Sequence, residues 1–392
     1  MFCVVARRFW WLGVILGVEP GVLLARTQLV SLPVREKVEI QLTHPRTTLV
    51  EEERTLPLLK GSNAVNFAWA NTRIDPASVI FRVVPGAVPD SGVEVLSVSY
   101  PPNENALVWR LSAPEAGPVK IRIAYRLEGL EKRFHYRALA NHDESRLTVT
   151  QFMALDNLAN ESYDLASLWP GFGERWQRPV GIQETKEVAT ARFAAVPVKK
   201  TYTCDPVQYG WLDAAQKKLH VPMHYVLFND AAHGLGQAAL PAGKARIFQE
   251  DGRGGSAFLG EDRAAFTPLD EELPLSLGLA RDIVVKRTLE RNDKKRLAGN
   301  LYEYDWVVKF EVENFKDTPA ELSIVESVRA IRRELLGDKP REPEWQLGKD
   351  HSLGTADADK SDADRLQFRL ILPAHTASPL VGRLHLILKN EW

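Results

Sequence analysis

The chain has 392 residues, of which 45% are hydrophobic and 26% charged, with 50 Lys and Arg against 51 Asp and Glu. That length exceeds the size at which one core usually keeps growing, so two or three domains are expected, and the near-zero net charge excludes a strong overall field toward nucleic acid or an anionic membrane surface. The two cysteines, Cys3 and Cys204, exclude a disulfide framework, because Cys3 falls in a targeting segment and leaves Cys204 unpaired.

Arg7 and Arg8 precede an apolar run over 9–18, followed by Glu19-Pro20 and then Gly21-Val22-Leu23-Leu24-Ala25. A basic head, a short apolar stretch, a helix breaker and a small residue make a signal-peptide pattern, although Leu23 stands where a small residue is preferred. Residues 1–25 are therefore expected to be a signal peptide, and the chain to be exported to the periplasm or cell surface. Glu19 and Pro20 break the run before it reaches the roughly 20 apolar residues of a spanning helix. No cysteine follows the run to carry a lipid, and no transmembrane helix is expected in the mature chain.

From residue 26 onward, short alternating segments dominate. They lie at 38–42, 79–84, 93–100, 107–111, 119–127, 147–152, 225–228, 245–248, 283–289, 302–312, 322–328, 366–372 and 384–388. Each is rich in β-branched or aromatic residues, and most alternate apolar with polar, as a strand with one solvated face requires. Turn chemistry separates them at Lys60-Gly61-Ser62-Asn63, Pro101-Pro102-Asn103, 251–255 and 314–319. Helical periodicity is confined to 207–219 and 328–336. The pattern predicts an all-β protein of two antiparallel β-sandwich domains with few or no helices. The domains are expected at 26–127 and 200–392, joined by a junction at 128–199 with strands and an irregular, aromatic-rich loop. Residues 337–364, charged and poor in aliphatics, read as a surface loop of the second domain.

One succession of residues in the second half resembles a known family. It comprises Leu240-Pro241-Ala242-Gly243-Lys244-Ala245-Arg246-Ile247-Phe248, a Gly-rich turn, Phe258-Leu259-Gly260-Glu261-Asp262, Leu275-Ser276-Leu277-Gly278, Val312-Glu313-Asn314-Phe315-Lys316-Asp317 and Leu372-Pro373-Ala374-His375. The series is similar to the bacterial domain of unknown function 4139 found in mucoidy-inhibitor-A-like proteins. The stretches at 55–63 and 74–79 are similar to the leading domain of such proteins. Many relatives carry a long coiled coil between the two parts, and no heptad stretch occurs here. The family has no established reaction to lend. Physically the motif reads as structural: Pro241 presets a turn, Gly243 is expected at positive φ, and 244–248 pairs with 257–260 through a hairpin at 251–255.

Chemistry-bearing patterns fail at named positions. Of the metal candidates His220, His224 and His233, with Asp213 and Asp230 nearby, His220 and His224 would lie about 13 Å apart on a strand, too far to share one ion, and Pro222 argues against a helix that would bring them together. Asp357, Asp359, Ser361, Asp362 and Asp364 suggest a calcium loop. The EF-hand count from Asp357 places Asp362 and Phe368 where Gly and Glu belong. Gly243-Lys244 lacks the earlier Gly and the following Ser or Thr of a phosphate loop, and Ser256 misses the nucleophile-elbow pattern. Cys204 reads as a buried, inert thiol. No catalytic residue, metal site or cofactor is assigned. Trp169, Phe172 and Trp176, flanked by Arg175 and Arg178, form the densest aromatic patch and are the candidate binding residues, with core packing as the competing role. Trp345, in polar surroundings, is a second contact candidate.

These features point to a non-enzymatic exported protein of the cell envelope, binding another envelope protein or a surface polymer and not nucleic acid. The alternative is a hydrolase of envelope polysaccharide or peptide whose site is assembled from separate loops.

Overall fold

The computed structural model describes residues 28–44, 47–69, 71–84, 92–171, 175–338, 342–356 and 361–392. The expected signal peptide, Phe172, Asp357 and Asp359 lie outside the described residues. The described chain is all-β, with five sheets and two α-helices, Pro206–Tyr209 and Val328–Leu336. It divides into two compact units. The first takes the chain up to Leu130 together with Asn157–Gly171 and Arg175–Gln183. The second takes Glu131–Asp156 and Glu184–Trp392. The segment 128–199 is thus shared out between the units, and it carries ordered strands at Arg146–Asn157, Tyr163–Trp169, Trp176–Val180 and Thr185–Pro197.

Unit 1 holds two sheets. One runs in the order Gln28–Ser31, Gly61–Ala68, Ala106–Ala113, Glu94–Ser99. The other runs Trp176–Val180, Tyr163–Trp169, Lys37–Gln41, Thr48–Leu58, Gly117–Leu127, Ile80–Val83. Ring contacts join them: Phe67 to Tyr125 at 5.7 Å and Phe81 to Trp109 at 4.9 Å. Each buried side chain of this size contributes roughly 1.5–3 kcal/mol relative to exposure, so Phe67, Trp109 and Tyr125 anchor the core, with the half-buried Phe81 against it.

Unit 2 holds three sheets. The first runs Thr185–Pro197, Arg146–Asn157, Leu130–Ala140, Gly243–Glu250, Ser256–Ala264. The second runs Glu272–Leu279, Pro222–Phe228, Lys199–Cys204, Ala320–Ser327, Arg365–Leu372, Thr355–Ala356. The third runs Trp211–Asp213, Lys218–Leu219, Ile283–Ala298, Leu301–Asn314, Leu380–Glu391, Glu344–Leu347. One face of the second sheet serves two cores. Tyr202, Leu322 and Phe368 pack with Trp306, Phe310 and Leu386 of the third sheet. Tyr225, Leu227 and Leu275 pack with Tyr136, Ala138 and Ile247 of the first.

Four pairings are parallel, where antiparallel order was expected: Gln28–Ser31 with Gly61–Ala68, Lys37–Gln41 with Tyr163–Trp169, Leu130–Ala140 with Gly243–Glu250, and Lys199–Cys204 with Ala320–Ser327. Three of the four join segments more than a hundred residues apart, beyond the reach of local hairpin signals. Of the two helical candidates, 328–336 is a helix. Ser327 and Asp364 cap its N-terminus, and Val328 and Ile331 reach the core. The 207–219 stretch stops being helical at Tyr209 and continues as two short strands. Residues 337–364 are more than a loop, since Glu344–Leu347 extends the third sheet and Trp345 donates its indole N–H to the Ala363 carbonyl at 2.7 Å. Gly243 is not at positive φ. A Cβ there would lie 2.3 Å from the Phe134 carbonyl oxygen, so close approach of parallel strands demands the glycine.

Candidate functional site

The sequence-expected residues do not assemble into one site. Trp176 lies in register with Leu168, which is fully buried, so it belongs to the core-facing side of its sheet. Trp169, one residue on, points to the opposite face beside Gln41, where the Arg175 guanidinium lies 5.4 Å from its ring and reaches Glu39 at 3.0 Å. Phe172 lies outside the described residues. His233 is committed to Asp230 at 2.7 Å and stacks on Phe228. His224 is half-buried, and burial lowers its pKa. Among the described residues no three His, Cys, Asp or Glu side chains gather as metal ligands. Asp362 and Asp364 are taken up in caps and turns, accepting from the Asp364, Arg365 and Arg329 amides. Burial pushes the Cys204 thiol well up, which keeps it protonated and unreactive.

A different constellation emerges on the third sheet of unit 2. Along Leu301–Asn314 the even positions Trp306, Val308 and Phe310 enter the core, which turns Asp305, Val307 and Lys309 to the other face. Leu380–Glu391 pairs so that Val307 lies opposite His385 and Lys309 opposite Arg383. On the far side, Ile283–Ala298 carries a β-bulge between Leu289 and Arg291. The extra residue, Glu290, is re-aimed toward Arg383. The edge strand Glu344–Leu347 then gives way to 348–352, which arches over His385. The Gly348 amide donates to the His385 carbonyl at 2.8 Å, and the Ser352 amide to the Arg383 carbonyl at 2.8 Å. Only glycine fits at 348, where a Cβ would come within 2.2 Å of the imidazole ring.

Beneath this arch His385 is 1% exposed. Its Nδ1 accepts from the Asp350 amide at 3.0 Å, so the proton resides on Nε2, which meets Asp305 Oδ1 at 3.0 Å. Arg291 ties both carboxylates together, Nε to Asp305 and Nη2 to Asp350, each at 2.8 Å. Arg383 grips Glu290 with Nε and Nη2 at 2.6 and 3.1 Å. Arg291 holds the Asp350 carboxyl below its ordinary range, and Arg383 does the same for Glu290. A cavity of about 530 Å³ opens here, lined by Glu290, Arg291, Val307, Asp350, Ser352 and Arg383. Among the described residues the Nη1 group of each arginine has no partner.

Unit 1 contains a related network with the opposite outcome. Glu52, fully buried, accepts from Arg35 Nε at 2.5 Å and from Arg54 Nε and Nη2 at 3.1 and 3.0 Å. Arg35 spends its other nitrogens on Glu161 and the Ser162 carbonyl, and Arg54 Nη1 goes to the Pro33 carbonyl. A cavity of about 380 Å³ beside it is lined by Arg35, Arg54 and Tyr163 among others, but every guanidinium nitrogen capable of a directed bond is already used.

The chemistry open to the His385 cavity follows from these commitments. Both imidazole nitrogens are occupied, so His385 has no lone pair for a substrate proton. Ser352 Oγ accepts from the Arg383 amide at 3.2 Å, and no histidine nitrogen bonds it. Among the described residues the two unpartnered guanidinium N–H₂ groups, with the carboxylates beside them, provide donors and acceptors for a polar ligand. In the sequence His385 reads only as one position of the Leu384-His385-Leu386 strand, and its partners come from three other segments. The one local hint is Gly348 in an otherwise charged stretch. Compared with protein-family models and with curated proteins, the chain matches none.

Proposed function

We propose that this chain is an exported, non-enzymatic envelope protein that binds the saccharide of a cell-surface polymer in the cavity beside His385. The observation that carries the reading is the pair of Nη1 groups of Arg291 and Arg383, unpartnered among the described residues and each held in place by carboxylates that bind the rest of the guanidinium. A saccharide hydroxyl both donates and accepts, and this wall offers both partners at fixed positions without a shift in its own hydrogen bonds. The N-terminal basic and apolar pattern supports export. The likeness at 240–262 to the mucoidy-inhibitor-A-like proteins supports an envelope setting.

Binding is favoured over hydrolysis by the state of the carboxylates. A glycoside hydrolase needs one carboxyl raised toward neutrality to act as acid, whereas Asp350 and Glu290 are both held down. Incubation of the purified chain with envelope polysaccharide is expected to yield a saturable complex and no new reducing ends. Release of reducing ends that stops in Asp350→Asn would replace this reading with the hydrolase.

A further inference from the structure

The solvent face of the first sheet of unit 2 has a charge pattern that the cavity does not explain. Its other face is core: Tyr136, Ala138, Ala245 and Ile247 are buried. Register therefore fixes what points outward, because side chains alternate along each strand and paired residues share a face. Leu130–Ala140, Gly243–Glu250 and Ser256–Ala264 set His135, Lys244 and Arg263 side by side. Two residues further along Gly243–Glu250, Arg137, Arg246 and Glu261 form a second rank. Leu139, Phe248 and Phe258 form a third, brought into line by the bulge between Ile247 and Phe248. Arg192, opposite Thr150, adds another cation to the same face, on which His135 stacks against Phe152 at 5.0 Å.

Lys244, Arg246, Arg263, Arg137 and Arg192 share this face with Arg133, which Asp156 holds at 2.7 Å, and with the acids Glu261, Glu187 and Glu250. Glu261 serves two of the cations, reaching Lys244 at 2.7 Å and Arg246 at 3.1 Å. Glu187 faces His135 at 3.3 Å. Among the described residues Arg137, Arg192 and Arg263 have no carboxylate partner. The chain as a whole has a net charge of −1, so this excess is local. Phe258, 58% exposed and 5.4 Å from Phe248, makes an apolar ledge at the end of the basic ranks.

From this placement we infer that the face binds an anionic polysaccharide, one carrying carboxylate or phosphate groups along its length. Cations on neighbouring strands stand about 4.8 Å apart, and those two residues apart on one strand about 6.7 Å, which makes a grid able to meet repeated charges of an extended polymer. The Phe248–Phe258 ledge suits the apolar face of a pyranose ring beside that grid. A single-stranded nucleic acid fits less well, because it needs successive free rings on which bases stack. Here the Phe152 ring already carries His135 and lies 5.9 Å from the Arg137 guanidinium, leaving Phe258 as the exposed ring. The inference rests on the sheet face alone and stands or falls separately from the cavity.

The test is binding of the full chain to alginate, a polyuronate, with neutral dextran and poly-dT as comparisons, over a series of salt concentrations. Alginate is expected to bind, dextran not to bind, and poly-dT to bind more weakly than alginate. Arg137→Glu and Arg263→Glu are each expected to weaken alginate binding roughly tenfold at low salt and to flatten its salt dependence. Phe258→Ala should weaken alginate several-fold and leave the salt slope unchanged. These side chains are exposed, and an unchanged melting temperature checks that the variants fold. Equal binding of dextran, tighter binding of poly-dT, or indifference of alginate to both arginine reversals would each overturn the inference.

Discussion

The buried network of unit 1 and the half-open network of unit 2 use the same parts, arginines and carboxylates on sheet faces, and differ in what they leave over. Around Glu52 every guanidinium nitrogen is consumed, either by a carboxylate or by a backbone carbonyl. Around His385, where both arginines line a cavity, the carboxylates consume two nitrogens of each arginine and leave the third without a partner among the described residues. The first arrangement compensates a buried charge, and the second fixes a donor in space for something else to meet. Burial decides between them. Glu52 is wholly enclosed, so any unpaired donor beside it would carry a desolvation penalty, whereas Arg291 and Arg383 are 34% and 40% exposed, where water satisfies a spare N–H.

That contrast is sharpened first in unit 1. Glu52→Ala leaves Arg35 and Arg54 facing a core without their counter-charge, and removal of one partner of such a network costs about 3 kcal/mol, the low end of the buried range because both arginines keep some solvent contact. Urea unfolding of the full chain, followed by a probe in unit 1, reads that loss. A change below about 1 kcal/mol would mean that Glu52 is worth no more than a surface pair.

Next in size is Gly348→Ala. The added Cβ meets the His385 ring, and the arch over 348–352 must lift at a cost of about 2 kcal/mol, typical of forced overpacking. Hydrogen exchange of the Gly348, Asp350 and Ser352 amides should rise while Thr48–Leu58 stays protected.

The smallest effect is that of pH. Burial lowers the pKa of His351, with a further contribution from His385, and the same is true of His224 through burial alone. A histidine whose folded pKa is depressed contributes stability that is complete above about 6.5, its ordinary value, and is lost as pH falls toward the depressed one. Melting temperature should therefore decline between pH 7.5 and 5.5, and His351→Gln should remove part of the slope. A slope untouched by that substitution would assign the decline to other groups.

Much of the strand content was legible because alternation is local. All thirteen predicted segments fall within or across observed strands, from Lys37–Gln41 to Leu380–Glu391. The strands that were missed break the pattern for physical reasons. Thr48–Leu58 carries Glu51 to Arg54 and Pro57, and its inward Glu52 is tolerated only because arginines from two segments reach it. Thr185–Pro197 is rich in Ala, which signals no strand. The candidate site was less legible than the fold. Asp305, Asp350 and His385 lie up to 80 positions apart, and only the pairing of Leu301–Asn314 with Leu380–Glu391, and the arch over it, brings them together. Trp169 and Trp176 looked like one patch because they are close in sequence, yet opposite faces of one sheet separate them.

The most direct test of the account is isothermal titration of a defined envelope oligosaccharide into the chain and into Arg291→Lys and Arg383→Lys. Lysine keeps the charge but cannot hold a carboxylate in a fork and present a spare N–H₂ at the same time. Each substitution is expected to weaken binding about tenfold, the worth of one hydrogen bond from a charged group, with melting temperature nearly unchanged. Full affinity in both lysine variants would contradict the assignment of the His385 cavity as the binding site.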